Sequence, residues 1–368
     1  MDRSGARAAL YIGGYLGPFG GGVVTAMLVE MGADLDVSTG TAASSLTAYL
    51  LPFALLMLVS GTLGTRWGPR RTVRIAYLVY VLASVMCALA PTFAVLQAGR
   101  VLQGCANSFT TPLLLATLAA STPAARLGRV LGTFGALQAA GQTSAPLVGG
   151  LAAEVNWRLA FVSIAFVAAG LCVAGIPAVG LAKGPPPRFR EALRPYVLRT
   201  GIVAMLGWGA IGGLSFLVAF RAEDDFGLGP TARGLVLTGF GVAGIIAARW
   251  AGGAIDRIGA RRGVLIGALG GAALVLVAGT AGMFGVMVVA WSLAGVAGQF
   301  VLVGVNAAVL GAGRNRGGAV SVVQAFRFTG AALAPLLLTP VYAAHPTLSF
   351  LIPAVAVAVL GPLLMPRQ

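Results

Sequence analysis

Two basic turns set 191 residues apart carry the same pattern, and they constrain this chain more than any other feature. Gly61-Thr-Leu-Gly-Thr65-Arg66-Trp-Gly68-Pro-Arg70-Arg71 reads G-x-x-x-T-R-x-G-x-R-R. Gly252-Gly-Ala-Ile-Asp256-Arg257-Ile-Gly259-Ala-Arg261-Arg262 reads G-x-x-x-D-R-x-G-x-R-R. Each turn lies between two apolar runs of bilayer-crossing length, about 20 residues. A unit repeated at that period predicts two similar halves. The repeat continues beyond the turns. Arg100-Val-Leu-Gln-Gly104-Cys-Ala106 aligns with Trp291-Ser-Leu-Ala-Gly295-Val-Ala297 at the same offset, and Gly141 to Pro146 aligns with Gly330 to Pro335 at an offset of 189.

Twelve apolar runs of near-membrane length follow one another. They lie at about 9–31, 41–63, 72–90, 93–119, 128–152 and 159–182, then 200–220, 231–252, 263–283, 285–310, 318–342 and 347–365. The seventh is Gly-rich around Gly207, Gly209, Gly212 and Gly213. Only 10% of the 368 residues are charged, against about 25% in a soluble domain, so the surface is read as lipid-solvated. The 54 glycines suit helices that approach closely in a membrane. The net charge of +15 is gathered in short clusters between apolar runs. That arrangement excludes a nucleic-acid surface and fits charge-directed membrane topology.

With the N-terminus in the cytoplasm, 19 of the 25 basic residues fall on the cytoplasmic side, including Arg66, Arg70, Arg71, Arg257, Arg261 and Arg262. Seven of ten acids, Glu30, Asp34, Asp36, Glu154, Glu223, Asp224 and Asp225, then fall outside. Both termini are therefore expected in the cytoplasm. The Arg3/Arg7 start leads straight into the first run, which is read as an uncleaved helix. Pro185, Pro186 and Pro187 interrupt any helix after the sixth run. The expected division is residues 1–182, a linker at 183–199, and residues 200–368.

These residues resemble the major facilitator superfamily, in particular its twelve-helix drug–proton antiporter branch. The basic turns are similar to that family's loop between helices two and three. Arg100, Gln103 and Gly104 resemble its fourth-helix motif R-x-x-Q-G. Gly132, Gly141, Pro146, Gly149 and Gly150 resemble the antiporter fifth-helix motif, with Ala145 replacing one glycine. Asn156-Trp157-Arg158 is similar to the family's start of helix six, and Leu28 to Leu35 to its exit from helix one, with Val29 replacing a proline. The resemblance covers nearly the whole chain. It implies an all-α integral membrane fold of twelve transmembrane helices in two pseudo-symmetric six-helix halves. It also implies a transporter rather than an enzyme, working by alternating access about a midplane site. The expected activity is export of a small organic molecule by proton antiport from a bacterial plasma membrane, by a monomer. An importer or uniporter of the same fold is the alternative, and a transporter-like sensor or scaffold a third reading.

The resemblance also assigns candidate roles. Gating falls to Gly61, Arg66, Gly68, Arg70, Arg71, Asp256, Arg257, Gly259, Arg261 and Arg262, and to the fifth-helix residues Gly132, Gly141, Pro146, Gly149 and Gly150. In the family the motif's Asp caps a neighbouring helix and pairs with Arg in the outward-facing state. Asp256 can do this, whereas Thr65 in the first copy cannot pair as an anion. Arg100 and Gln103 are candidates for coupling or substrate contact, against a purely structural anchor. The cavity wall is expected from Tyr15, Asn107, Gln138, Trp208, Gln299 and Arg327. Arg327 stands where the repeat places Gln138. No carboxylate sits near the middle of any run, and Gly20-Gly21-Gly22 occupies the first-helix region where related antiporters often carry an acid. The nearest proton-carrier candidates are Glu30, Asp34 and Glu154, against a solvated outer rim. Arginines without buried acids suit an anionic or neutral substrate better than a cation.

No cofactor or metal site is expected. Cys87, Cys105 and Cys172 sit in apolar runs without ligand spacing, and His345 is the only histidine. The G-x-G-x-x-G at Gly239 to Gly244 lacks the strand a dinucleotide fingerprint needs and is read as helix packing.

Overall fold

The computed structural model describes residues 3–177, 194–311 and 316–366, and these residues are helical with short turns. Pro185 to Pro187, most of the 183–199 linker, the last residues of the sixth run and Arg314 lie outside them. The helices are α1 (Arg3–Gly22), α2 (Leu28–Asp34), α3 (Thr39–Trp67), α4 (Pro69–Ala88), α5 (Phe93–Ala120), α6 (Ala124–Val155) and α7 (Arg158–Ala174). The second half holds α8 (Pro195–Ala210), α9 (Ser215–Asp224), α10 (Pro230–Ile258), α11 (Ala260–Thr280), α12 (Phe284–Gly311), α13 (Arg316–Ala344) and α14 (Pro346–Leu364).

These helices match the twelve runs, but two runs are broken. The first is α1, a 3-10 turn at Val23–Ala26, and α2, bent by 67°. The seventh is α8, a 3-10 turn at Gly212–Leu214, and α9. Both breaks fall at clustered glycines, where helix stability is lowest. Helix α8 also starts at Pro195, five residues inside the expected linker, because Pro is well placed in a first helical turn. Among the described residues eight helical segments are long and apolar enough to cross a membrane, nine with the bent pair. Helix α7 is short at 17 residues. Helices α5 and α6 have the length, 28 and 32 residues, but carry Arg100, Gln103 and Asn107, or Gln138, Gln142 and Thr143. Arg100, Gln103 and Asn107 are buried inside the protein, Gln138 and Thr143 are half-buried, and Gln142 is exposed.

The duplication read from sequence recurs as duplicated contacts. A Cβ on Gly104 would come within 2.1 Å of the Tyr49 carbonyl oxygen, and one on Gly295 within 1.9 Å of that of Phe240. A Cβ on Gly141 would meet the Tyr15 oxygen at 2.2 Å, and one on Gly330 that of Met205 at 2.1 Å. Each glycine and its acceptor are shifted by the repeat period, so both halves use the same backbone approaches. The two basic turns also agree. Gly68 has φ 91° and Gly259 φ 87°, a region open to glycine but costly for other residues. Pro69 or Ala260 then starts the next helix.

Successive spans alternate in direction, so the bundle has a basic end, with Arg66–Arg71 and Arg257–Arg262, and an acidic end, with Glu30, Asp34, Glu154 and Glu223. The halves meet chiefly through α6 against α10 and α3 against α13.

Candidate functional site

Three groups of polar side chains lie within this frame. The first is inside the N-terminal half. Arg100 is fully buried (0% exposed) and donates to the carbonyls of Gly20 (2.9 Å), Gly21 (3.4 Å) and Ser45 (3.3 Å) and to Gln103 Oε1 (2.9 Å). Helix α1 ends at these glycines, where the last carbonyls lack intrahelical donors. The guanidinium supplies them, and it lies 4.5 Å from the Tyr49 ring centroid. Gln103 passes the chain on to Ser84 Oγ at 2.8 Å. One turn along, Asn107 donates to Tyr49 Oη (2.8 Å) and the Gly17 carbonyl (3.3 Å). Arg100, Gln103 and Asn107 thus tie α1, α3, α4 and α5 together, and all three are buried. In the C-terminal half Trp291 takes the place of Arg100 and stacks on Phe240, the counterpart of Tyr49, at 4.8 Å.

The second group is at the acidic end, between the halves. Arg233 of α10, 1% exposed, pairs with Glu30 of α2 and with Glu223 of α9. Glu154 of α6 accepts the backbone N–H of Thr231 at 3.2 Å, so a carboxylate of one half caps a helix of the other. Asp34 stays within its own half, accepting from Trp157 Nε1 (3.1 Å) and Arg158 (2.7 Å). The α2 exit and the Asn156-Trp157-Arg158 segment, separate in sequence, are therefore one brace. The glycine approaches tighten the same interface. A Cβ on Gly150 would stand 2.3 Å from the Pro230 carbonyl oxygen, and one on Gly234 2.6 Å from that of Pro146. Gly149 abuts the Val23 carbonyl at the first break. Gly132 has open space around it and shares none of this packing. Gly241, within the G-x-G-x-x-G, faces Thr143 across the halves, and Gly239 and Gly244 face Ser292 and Gln299 of α12.

The third group lines a cleft in the C-terminal half. Arg327 of α13 stands 4.3 Å from the Trp208 ring centroid and 4.5 Å from that of Phe328. Trp208, Asn306, Gln324 and Arg327 share the cleft with apolar residues of α8 and α12. Tyr15 bonds to Ser144 at 2.6 Å. Gln138 is half-buried, and Gln299 lies against Gly244; neither joins the other groups.

At the basic end Arg66, Arg70, Arg71, Asp256, Arg257 and Arg262 are exposed, and Arg261 is half-buried. Asp256 makes no ion pair with a described residue. Thr65 bonds back to the Thr62 carbonyl of its own helix (2.9 Å) and caps no neighbour. Gly61 lies in ordinary contact with Pro112.

The chain matches the Major Facilitator Superfamily over residues 10–223 and 200–368. It belongs to that superfamily. Among curated superfamily members, it is 36% identical over 151 residues to an uncharacterized MFS-type transporter, Rv1250, of Mycobacterium tuberculosis, covering 40% of this chain and 26% of that protein. It is 31% identical over 219 residues to the methylenomycin A resistance protein of Streptomyces coelicolor, covering 58% and 43%. The matched segments thus span about a quarter to two fifths of those relatives. In fold it is similar to a bacterial homolog of the human lysosomal transporter Spinster, solved inward-facing and unoccupied. The TM-score is 0.74 at 16% identity, over 99% of this chain and 94% of that one.

The residues that sequence reasoning missed are Arg233 and Glu223 as a latch, and Tyr49, Phe328, Gln324 and Asn306 as partners of the named sites. Glu223 and Arg233 flank one short turn, a local signal. Glu30 lies 203 residues from Arg233, and only the fold joins them.

Proposed function

We propose that this chain is a secondary active transporter that exports a small organic molecule from the cytoplasm by alternating access, coupled to proton entry. The observation that carries the reading is the asymmetry between the two ends. Four contacts between the halves, Glu30–Arg233, Glu154–Thr231, Thr238–Thr143 and Thr47–Ala332, lie in the acidic part or the middle of the bundle. The basic-end Asp256 makes no ion pair with any described residue. A bundle latched at one end and unlatched at the other is one of the two states that rocking requires. Charge placement supports a cytoplasmic basic end and cytoplasmic termini, so this state opens inward. The halves, residues 1–182 and 200–368, act as the rocking bodies, and a monomer suffices. Export is supported by the antiporter-like fifth helix and by the resistance protein among the relatives.

Glu30 is the proton carrier with the best geometric support. It shares Arg233 with Glu223, beside Asp224, so its charge directly sets the strength of the latch. Protonating it removes one of the two anions and favours opening at the acidic end. The absence of a carboxylate mid-span among the described residues favours a uniporter or an importer as the second reading. Proteoliposomes separate them. Substrate-induced proton flux, reduced in Glu30→Gln, is expected, whereas transport without flux at any pH gradient removes the antiport step.

A further inference from the structure

Two arginines are buried in the spans without a carboxylate beside them, and the protein surrounds them differently. Arg100 is matched by four acceptors. Arg327 is 9% exposed, yet makes no hydrogen bond or ion pair with any described residue, and its Nε is buried without an acceptor. It is held by the rings of Trp208 and Phe328. Aromatic faces offset part of a cation's charge, but they offer the N–H groups no lone pair. Gln324 on the same cleft has a buried Oε1 that is also unpartnered. A charge left uncompensated at this depth is costly. The fold could have supplied carbonyls, as it does for Arg100. Gln138, the counterpart of Arg327 in the first half, likewise has no polar partner among the described residues.

We propose that Arg327 is the anion-recognising residue of the transport site, and that the substrate is a small organic anion with a carboxylate beside a flat apolar body. The inference rests on the transporter reading above and names its substrate class. The cleft has room for about one water, about 10 Å³. Room on that scale suits a carboxylate oxygen and not an apolar body, so the acid group would reach Arg327 while the body lies outside the cleft. A planar guanidinium binds a carboxylate through two parallel hydrogen bonds. Binding would satisfy the idle donors and neutralise the charge in one step. A cation would meet Arg327 with no anion to balance it.

The test uses the full chain in nanodiscs of phosphatidylcholine, which carries no net charge. The probes are 1-naphthoate and 4-hydroxybenzoate, their primary amides, acetate, and sodium sulfate at matched ionic strength, read by tryptophan fluorescence and melting temperature. The aromatic acids are expected to bind at least about tenfold more tightly than the amides. Arg327→Gln should abolish that preference, and Arg327→Lys should keep part of it. The proposal is overturned if acids and amides bind alike, if neither binds, if sulfate or acetate binds as well as the aromatic acids, or if Arg327→Gln leaves the preference intact. The acid–amide comparison in the unaltered protein stands even if the Gln variant fails to fold. Flux assays separate this from the broader reading. Acids that bind through Arg327 but never cross would sink transport and leave the anion site. Neutral or cationic compounds carried equally by Arg327→Gln would do the reverse.

Discussion

Arg100 lies within a span that shares a motif with a transporter family, and its four hydrogen bonds lead us to propose that it is a structural anchor. Its four hydrogen bonds join the end of α1 to α3 and α5. Arg100→Met leaves those carbonyls without donors, and hydrogen bonds to charged groups contribute about 1.5–3 kcal/mol each. The expected result is a loss of folded protein on size-exclusion chromatography in mild detergent. A normal melting temperature with transport alone lost would instead make Arg100 a substrate or coupling residue. A second residue-scale contrast is Asp256 against Thr65. Only Asp256 can form an ion pair when the basic end closes, so Asp256→Asn should slow transport more than Thr65→Ala. Equal and negligible losses would remove the gating role. The motifs were legible here because residue types and spacings survive in sequence. Their roles were not, because identical burial can hold a satisfied Arg100 or an unsatisfied Arg327. Only the neighbours contributed by distant helices distinguish the two.

Helices in this chain were easy to locate and their breaks were not. The Gly20-Gly21-Gly22 run marked where α1 gives way to a 3-10 turn, but the 67° bend falls after Ala26, beyond the carbonyls to which Arg100 donates. Glycines are the other element-scale device. Gly104 and Gly295, like Gly141 and Gly330, let crossing helices touch backbone to backbone, and such approaches favour association in lipid. Their symmetry gives a test within one protein. Gly104→Val and Gly295→Val should each destabilise by about 1–3 kcal/mol, as overpacking does, read as matched drops in melting temperature. A neutral effect at either position would show that its half can relax. Gly132, with nothing nearby, serves as the control and should tolerate Ala unchanged.

At the scale of the molecule, the twelve-span order and the two halves were readable because membrane solvent imposes length and apolarity on every crossing. The acidic-end latch was not, since Glu30 and Arg233 come from opposite halves. Arg233→Met should leave Glu30 and Glu223 facing each other unneutralised and weaken the closed acidic end. Spin labels on the turns after α2 and α9, measured by double electron–electron resonance, should report a larger fraction of long distances than in the parent. An unchanged distribution would mean that glycine packing and the Glu154–Thr231 cap suffice to hold this end shut. Glu30→Gln removes the ion pair that crosses between the halves and should shift the distribution in the same direction, while Glu223 still neutralises Arg233 within its own half. Loss is thus unevenly distributed across the interface. Arg233 has two anionic partners, and Glu154 grips a main-chain N–H that every residue except proline would supply at position 231. Single side-chain changes at Glu223 or Thr231 leave both contacts between the halves in place. Sequence drift at those positions is therefore buffered, whereas Glu30 and Arg233 are the two ends of one ion pair and neither can be lost without breaking it.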